Sequence, residues 1–201
     1  MTIEVKNSIK PLEYVNCIEL LEKRVDDVLL AKEDELLWIL EHETVYTAGT
    51  SSNKKDIINK RIKIIDSKRG GKYTVHSPGQ KIVYFVIDLN KRGKDIRKFI
   101  SKIENCIINI LKEYNINSKS DKKNIGIWIN DKKIAAIGVR VKKWIAYHGF
   151  SINISNDLTK YKSIIPCGLK NKGVTSLKEI GVKNYKNINE VISKQFLKTF
   201  Y

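Results

Sequence analysis

Cys167 sits between Pro166 and Gly168, where proline fixes the approach of the chain and glycine lets the backbone pass close beside the sulfur. A cysteine held in this way can be presented to a substrate, and it can equally be an inert small hydrophobe in a short loop. Nucleophilic chemistry needs the thiolate, so a working Cys167 requires a base or a cation that brings its pKa down from about 8.5. The chain offers His42, His76, His148 and many lysines for that purpose.

Two further segments have the character of a site. Arg69 to Gln80, RGGKYTVHSPGQ, combines two glycines that let backbone N–H groups approach a ligand, a fixed cation and an imidazole. Lys132 to Arg140, KKIAAIGVR, sets the small residues Ala135, Ala136 and Gly138 beside Lys132 and Lys133, so that a backbone can lie against a substrate with an amine next to it. Taken alone, either segment also reads as plain hairpin chemistry with exposed lysines. His42, His76, His148 and Cys167 lack the i, i+4 spacing of a helical metal motif, so no metal site is expected. Cys17, Cys106 and Cys167 are odd in number, widely spaced and without a CxxC pair, which points to reduced thiols rather than a disulfide framework.

The elements that must position these residues are legible from periodicity. Leu12, Val15, Ile18, Leu21, Val25 and Leu29 recur at helical steps and predict an amphipathic helix from Pro11 to about Lys32, with Cys17 beside the stripe as a filler. A second helix is predicted over Ile96 to Leu111, with Cys106 on its core face. Strands are predicted at Glu35 to Leu40, Ile62 to Ile65 and Ile82 to Leu89, at Ile125 to Asn130 and Lys133 to Val139 as a hairpin turning at Asn130 and Asp131, and around Tyr147 to Ile154. Two helices with many short strands argue for an α/β fold built as an α+β mixed sheet rather than a doubly wound parallel one.

The chain's 201 residues, 42% of them hydrophobic, suit one domain over residues 1–201 with its own core. No apolar run approaches the length needed to cross a bilayer, and the polar start lacks the features of a signal peptide, so a cytoplasmic protein without membrane partners is expected. The net charge of +16 would attract nucleic acid, anionic membrane or an acidic protein. The lysines are spread in ones and twos, as a Lys-, Ile- and Asn-rich composition would leave them. Trp38, Trp128 and Trp144 and the nine tyrosines lie mainly in apolar runs, which favours core packing over base stacking.

Four separated blocks then carry a resemblance: Glu41 to Gly49, Arg69 to Gln80, Lys132 to Ile154 and Ile165 to Leu177. In this order they resemble the lipoyl(octanoyl) transferases, over roughly residues 10 to 180. The resemblance implies the catalytic fold of the biotin and lipoate protein ligases. It makes Cys167 the nucleophile and Lys133 the lysine that lowers its pKa. It assigns Arg69, Gly70, Gly71, Lys72, Tyr73, Thr74, Val75 and His76, then Ala136, Ile137 and Gly138, then Gly149, Phe150 and Ser151, to the acyl pocket. It further implies octanoyl-acyl carrier protein as donor, lipoyl domains of 2-oxoacid dehydrogenases and the glycine cleavage H protein as acceptors, no nucleic acid, and a reaction that needs neither ATP nor a metal. An ATP-dependent lipoate ligase on the same fold is the alternative, and a basic nucleic-acid-binding module a more distant one. The pattern is broken at Val75 and Ser77, where the family has Tyr and Gly, and at Thr50, where it has Arg. The acyl slot is expected to be apolar, with polar groups only at its mouth.

Overall fold

The computed structural model describes residues 2–165 and 172–201, so Cys167 lies outside the described residues. A mixed sheet runs in the order β1 (Ile3–Asn7), β2 (Glu35–Leu40), β6 (Gln80–Asp88), β10 (Ile145–Asn153), β9 (Lys132–Lys142), β8 (Ile127–Ile129), β7 (Lys119–Ser120). β1 joins β2 in parallel, the other neighbours are antiparallel, and β11 (Gly173–Val174) adds to β9 in parallel. A smaller sheet has the order β4 (Ile64–Asp66), β3 (Val45–Ala48), β5 (Thr74–His76).

Every residue of β2 and β10 is buried because both faces of the central strands are covered. On one face Leu36, Trp38, Leu40, Ile82, Tyr84 and Tyr147 pack against Cys17, Leu21 and Val25 of α1 (Tyr14–Leu29). On the other, Leu37, Ile39, Val83, Phe85 and Phe150 meet α2 (Ile96–Lys112) and α3 (Ile188–Phe200) through Phe99, Ile103, Phe196 and Phe200.

The first helix is shorter than its periodicity predicts. Leu12 is held in the extended chain by His42's strand end, its N–H donating to Glu41 O at 2.8 Å, so Pro11 precedes the helix. The helix begins where the Glu13 carboxylate accepts from the N–H groups of Val15 and Asn16 at 2.9 and 2.8 Å. The third helix, α3, was not legible. Ile188, Ile192, Phe196 and Phe200 form a narrow stripe with no side-chain cap at Asn187, and only the α2 face completes it. β9 and β10 also extend farther than predicted. Their connection, Lys143 and Trp144, has φ of 49° and 66°, a two-residue left-handed turn without the Asn-Gly signature that usually announces one.

Candidate active site

The small sheet closes over β9 and β10 beside the N-terminal end of α1 and leaves a cavity of about 440 Å³. Its floor is unusually flat. Gly138 faces Gly149 and Ala136 faces Ser151 across the ladder, on the face that α1 covers farther along through Ile145 and Tyr147. At Gly149, with φ 158°, an added Cβ would lie 1.9 Å from Val83 O, so β6 and β10 can approach this closely only around glycine. His148, with φ 65°, departs from strand alternation. Its ring stacks on Tyr147 and meets Tyr84 edge-on, which turns it to the cavity side.

The Arg69–Thr74 segment roofs this floor. Arg69 is buried and donates to Thr47 O and Thr47 Oγ1 at 3.2 and 2.8 Å and to Gly70 O at 3.0 Å. Its aliphatic stem passes where a Cβ on Gly138 would be 2.9 Å from Cδ, and a Cβ on Gly49 would be 2.3 Å from Gly71 O. The turn after β3 clamps this loop by backbone alone, Thr50 N–H donating to Arg69 O at 2.9 Å and Ser51 N–H to Gly71 O at 3.0 Å. Thr50 is exposed and contributes its backbone N–H to this clamp. Gly70 N–H is already spent on Val139 O at 3.2 Å, so it is not available to an oxyanion.

Lys133 stands at the other end of the cavity and is buried. Its Nζ donates to Ile125 O at 2.8 Å and lies 4.7 Å from the centroid of the Trp128 ring. Gly126 makes room for it, since a Cβ there would lie 3.0 Å from Lys133 Nζ and Cε and 2.8 Å from Ala135 O. The described chain is anchored on both sides of the segment that carries Cys167, and the later anchor is on Lys133 itself. Before it, Ile164 bridges Ile57 and Ile165 N–H donates to Asp56 O at 2.7 Å. After it, β11 pairs Val174 with Lys133 in register, and Thr175 N–H donates to Lys133 O at 3.0 Å.

The cavity wall is mainly apolar, as expected, and Tyr14, His76, Tyr84 and His148 also line it. Burial keeps the imidazoles neutral, pushing His42 down to about 4 and His76 and His148 to about 3. A neutral imidazole can offer its ring face as apolar surface while one nitrogen is satisfied elsewhere. Thus His42 Nδ1–H donates to Leu12 O at 2.9 Å and its Nε2 accepts from the Tyr84 hydroxyl at 2.8 Å. His76 Nδ1 meets Gln80 Oε1 at 2.7 Å, and Gln80 Nε2 donates to Asn153 Oδ1 and Tyr161 OH at 2.8 and 3.0 Å.

Of the pocket residues drawn from the resemblance, Arg69, Gly70, Gly71, Lys72, Tyr73, Thr74, His76, Ala136, Ile137, Gly138, Gly149, Phe150 and Ser151 line this one cavity with Lys133. Val75 does not. Strand alternation in β5 turns it into the small core of Tyr73, Tyr161 and Ile164. Gly126, Gln80 and Asn153 were missed. A glycine inside an otherwise strand-like run was the one signal available for Gly126; Gln80 and Asn153 are identifiable only through partners distant in the chain.

The floor of small residues, the clamped arginine loop and the buried lysine define a catalytic domain of the lipoate and biotin ligase architecture. Solved structures agree on the fold: lipoate-protein ligase A bound with ATP superposes with a TM-score of 0.74 at 12% identity, covering 98% of this chain and 85% of that one. A putative lipoate protein ligase from T. acidophilum with bound lipoic acid gives 0.73 at 14%, covering 99% and 86%. The model of the lipoyl protein ligase A/B catalytic domain matches residues 14–200. An octanoyltransferase of Wolbachia sp. subsp. Brugia malayi is 44% identical over 195 residues, 94% of this chain and 95% of that protein. One from Anaplasma phagocytophilum is 42% identical over 207 residues and the full length of both. The chain belongs to the lipoyl protein ligase A/B catalytic domain family, and within it to the octanoyltransferases.

Proposed function

We propose that this protein transfers an octanoyl group from octanoyl-acyl carrier protein, through a thioester on Cys167, to the lysine of lipoyl domains such as those of 2-oxoacid dehydrogenases and the glycine cleavage H protein. The observation that carries the reading is the buried Lys133 at the end of an acyl-sized cavity, with the chain on both sides of Cys167 anchored to β9 and to Asp56.

The Lys133 ammonium favours the Cys167 thiolate, which attacks the donor's thioester carbonyl. The tetrahedral intermediate collapses with release of the carrier thiolate, and that thiolate takes the proton of Lys133. Exchange of one thioester for another is close to neutral in energy. The acceptor's neutral amine then attacks the acyl carbonyl and gives its proton to Lys133. Expulsion of the Cys167 thiolate leaves a stable amide and restores the thiolate–ammonium pair. No step calls for ATP or a metal. Alkyl burial at about 0.8 kcal/mol per CH₂ holds the chain over the Gly138–Gly149 floor.

A basic platform next to the Cys167 segment suits an acidic carrier in the cytosol. Lys54, Lys55, Lys60, Arg61 and Lys63 lie on one loop and Lys160 and Lys162 on the turn bonded to it, against Asp56 and Asp157. Among the described residues none of these cations is in an ion pair. Ile58 stands exposed among them.

The test is transfer from octanoyl-carrier protein to a lipoyl domain without ATP. Transfer is expected in the unaltered protein, with a loss of at least about a hundredfold in Lys133→Ala. A product formed only from free octanoate plus ATP would replace this reading with that of a ligase.

A further inference from the structure

The indole of Trp128 carries two ammonium groups. Lys133 Nζ and Lys172 Nζ each lie 4.7 Å from its ring centroid. The ring is held by contacts other than those with the two lysines. Trp128 sits directly across the ladder from Lys133 beside a register shift in β8, it is buried, and its Nε1–H donates to Asn124 O at 2.9 Å. Two like charges on one ring need compensation. Lys172 has it, with Asp121 Oδ2 at 3.6 Å and Asp131 Oδ1 at 3.9 Å. Asp121 is itself tied to Asn124, whose side-chain nitrogen donates to it at 2.9 Å. Lys172 is the first described residue after the segment that carries Cys167, and β11 follows at once.

We propose that Trp128 is a positioning residue for acyl transfer, an aromatic clasp that holds Lys133 and the end of the Cys167 segment against the same ring. Its π system stabilises both ammonium groups, most strongly that of the buried Lys133, and also that of the partly exposed Lys172. The indole thereby couples the orientation of Lys133 to that of the chain leading back to Cys167. A tryptophan that merely filled the core would need neither lysine. The inference rests on the Cys167 thioester reading for its chemistry, and its test is chosen to separate the two.

Two rates are measured on each variant: octanoyl-thioester formation, by quenched intact-mass analysis, and alkylation of Cys167 by iodoacetamide, which needs no octanoyl donor. Thermal melting checks the fold. Trp128→Leu is expected to slow both by about tenfold, while Trp128→Phe, which keeps a π face, stays within about threefold of the unaltered protein. Lys172→Met is expected to slow both by about threefold or more, with recovery in Lys172→Arg, which returns a cation to the ring. Trp128→Leu at the unaltered rates, or Trp128→Phe as slow as Trp128→Leu, would overturn the clasp and leave a packing residue. If Trp128→Leu does not fold, the Lys172 pair decides alone, and unchanged rates in Lys172→Met would overturn the proposal. An unaltered protein that alkylates at Cys167 but forms no thioester would instead remove the thioester reading, and the alkylation rates would still judge the clasp.

Discussion

At the scale of single residues, burial decides the character of the described cysteines and histidines. Burial pushes the Cys17 thiol up to about 11 and Cys106 to about 12, so both behave as small hydrophobes. The three histidines near the cavity are buried neutral, with folded pKa values below the ordinary 6.5. Unfolding therefore takes up protons at each of them. Their stability contribution is complete above about pH 6.5 and is lost as the pH falls toward 4 and 3. The urea midpoint is expected to fall between pH 7 and pH 5, a window in which exposed carboxylates stay ionised; an unchanged midpoint would contradict neutral burial. Sequence alone left Cys167 between two readings, and the family resemblance supplied Lys133. It could not supply Trp128, Gly126 or Gln80, whose contacts with Lys172, Lys133 and Asn153 exist only once the sheet has formed.

At the scale of elements, the site depends on how closely backbones approach. Gly149 against Val83 O is the tightest of these contacts. Gly149→Ala is expected to destabilise the protein by about 2 kcal/mol or more in urea unfolding and to narrow the cavity floor. A change within about 0.5 kcal/mol would show that β6 and β10 can separate there without cost. Legibility followed the same physics. α2 was read almost to its ends because its apolar stripe is wide and Asp95 caps it, accepting from Lys98 N–H at 2.9 Å. β1 and α3 were not read. β1 is mostly exposed and is recruited by the edge of β2, and α3 is completed by aromatic contacts with Phe85 and Phe99. The Lys143–Trp144 turn is set by the twist of the strands it joins rather than by turn-forming residues.

At the scale of the whole molecule, the net charge of +16 includes cations at Lys54, Lys55, Lys60, Arg61, Lys63, Lys160 and Lys162 that flank the Cys167 segment in sequence or through backbone bonds and, among the described residues, are in no ion pair. Electrostatic steering acts on encounter and is screened by salt. Raising ionic strength from about 0.02 to 0.15 M is expected to lower kcat/KM for octanoyl-carrier protein by about tenfold and to leave a small uncharged octanoyl thioester unaffected; equal responses from both donors would rule steering out. Among the described residues no helix is long and apolar enough to cross a membrane. Among the described residues, both sheets and the three α-helices hold Lys133 and the floor of small residues around one cavity. In the proposed reaction Cys167 carries the acyl group. Intact-mass measurement after incubation with octanoyl-carrier protein alone tests it most directly. One added octanoyl group is expected on the unaltered protein, sensitive to hydroxylamine and lost in Cys167→Ala. No adduct on the unaltered protein, or an adduct that persists in Cys167→Ala, would contradict the account.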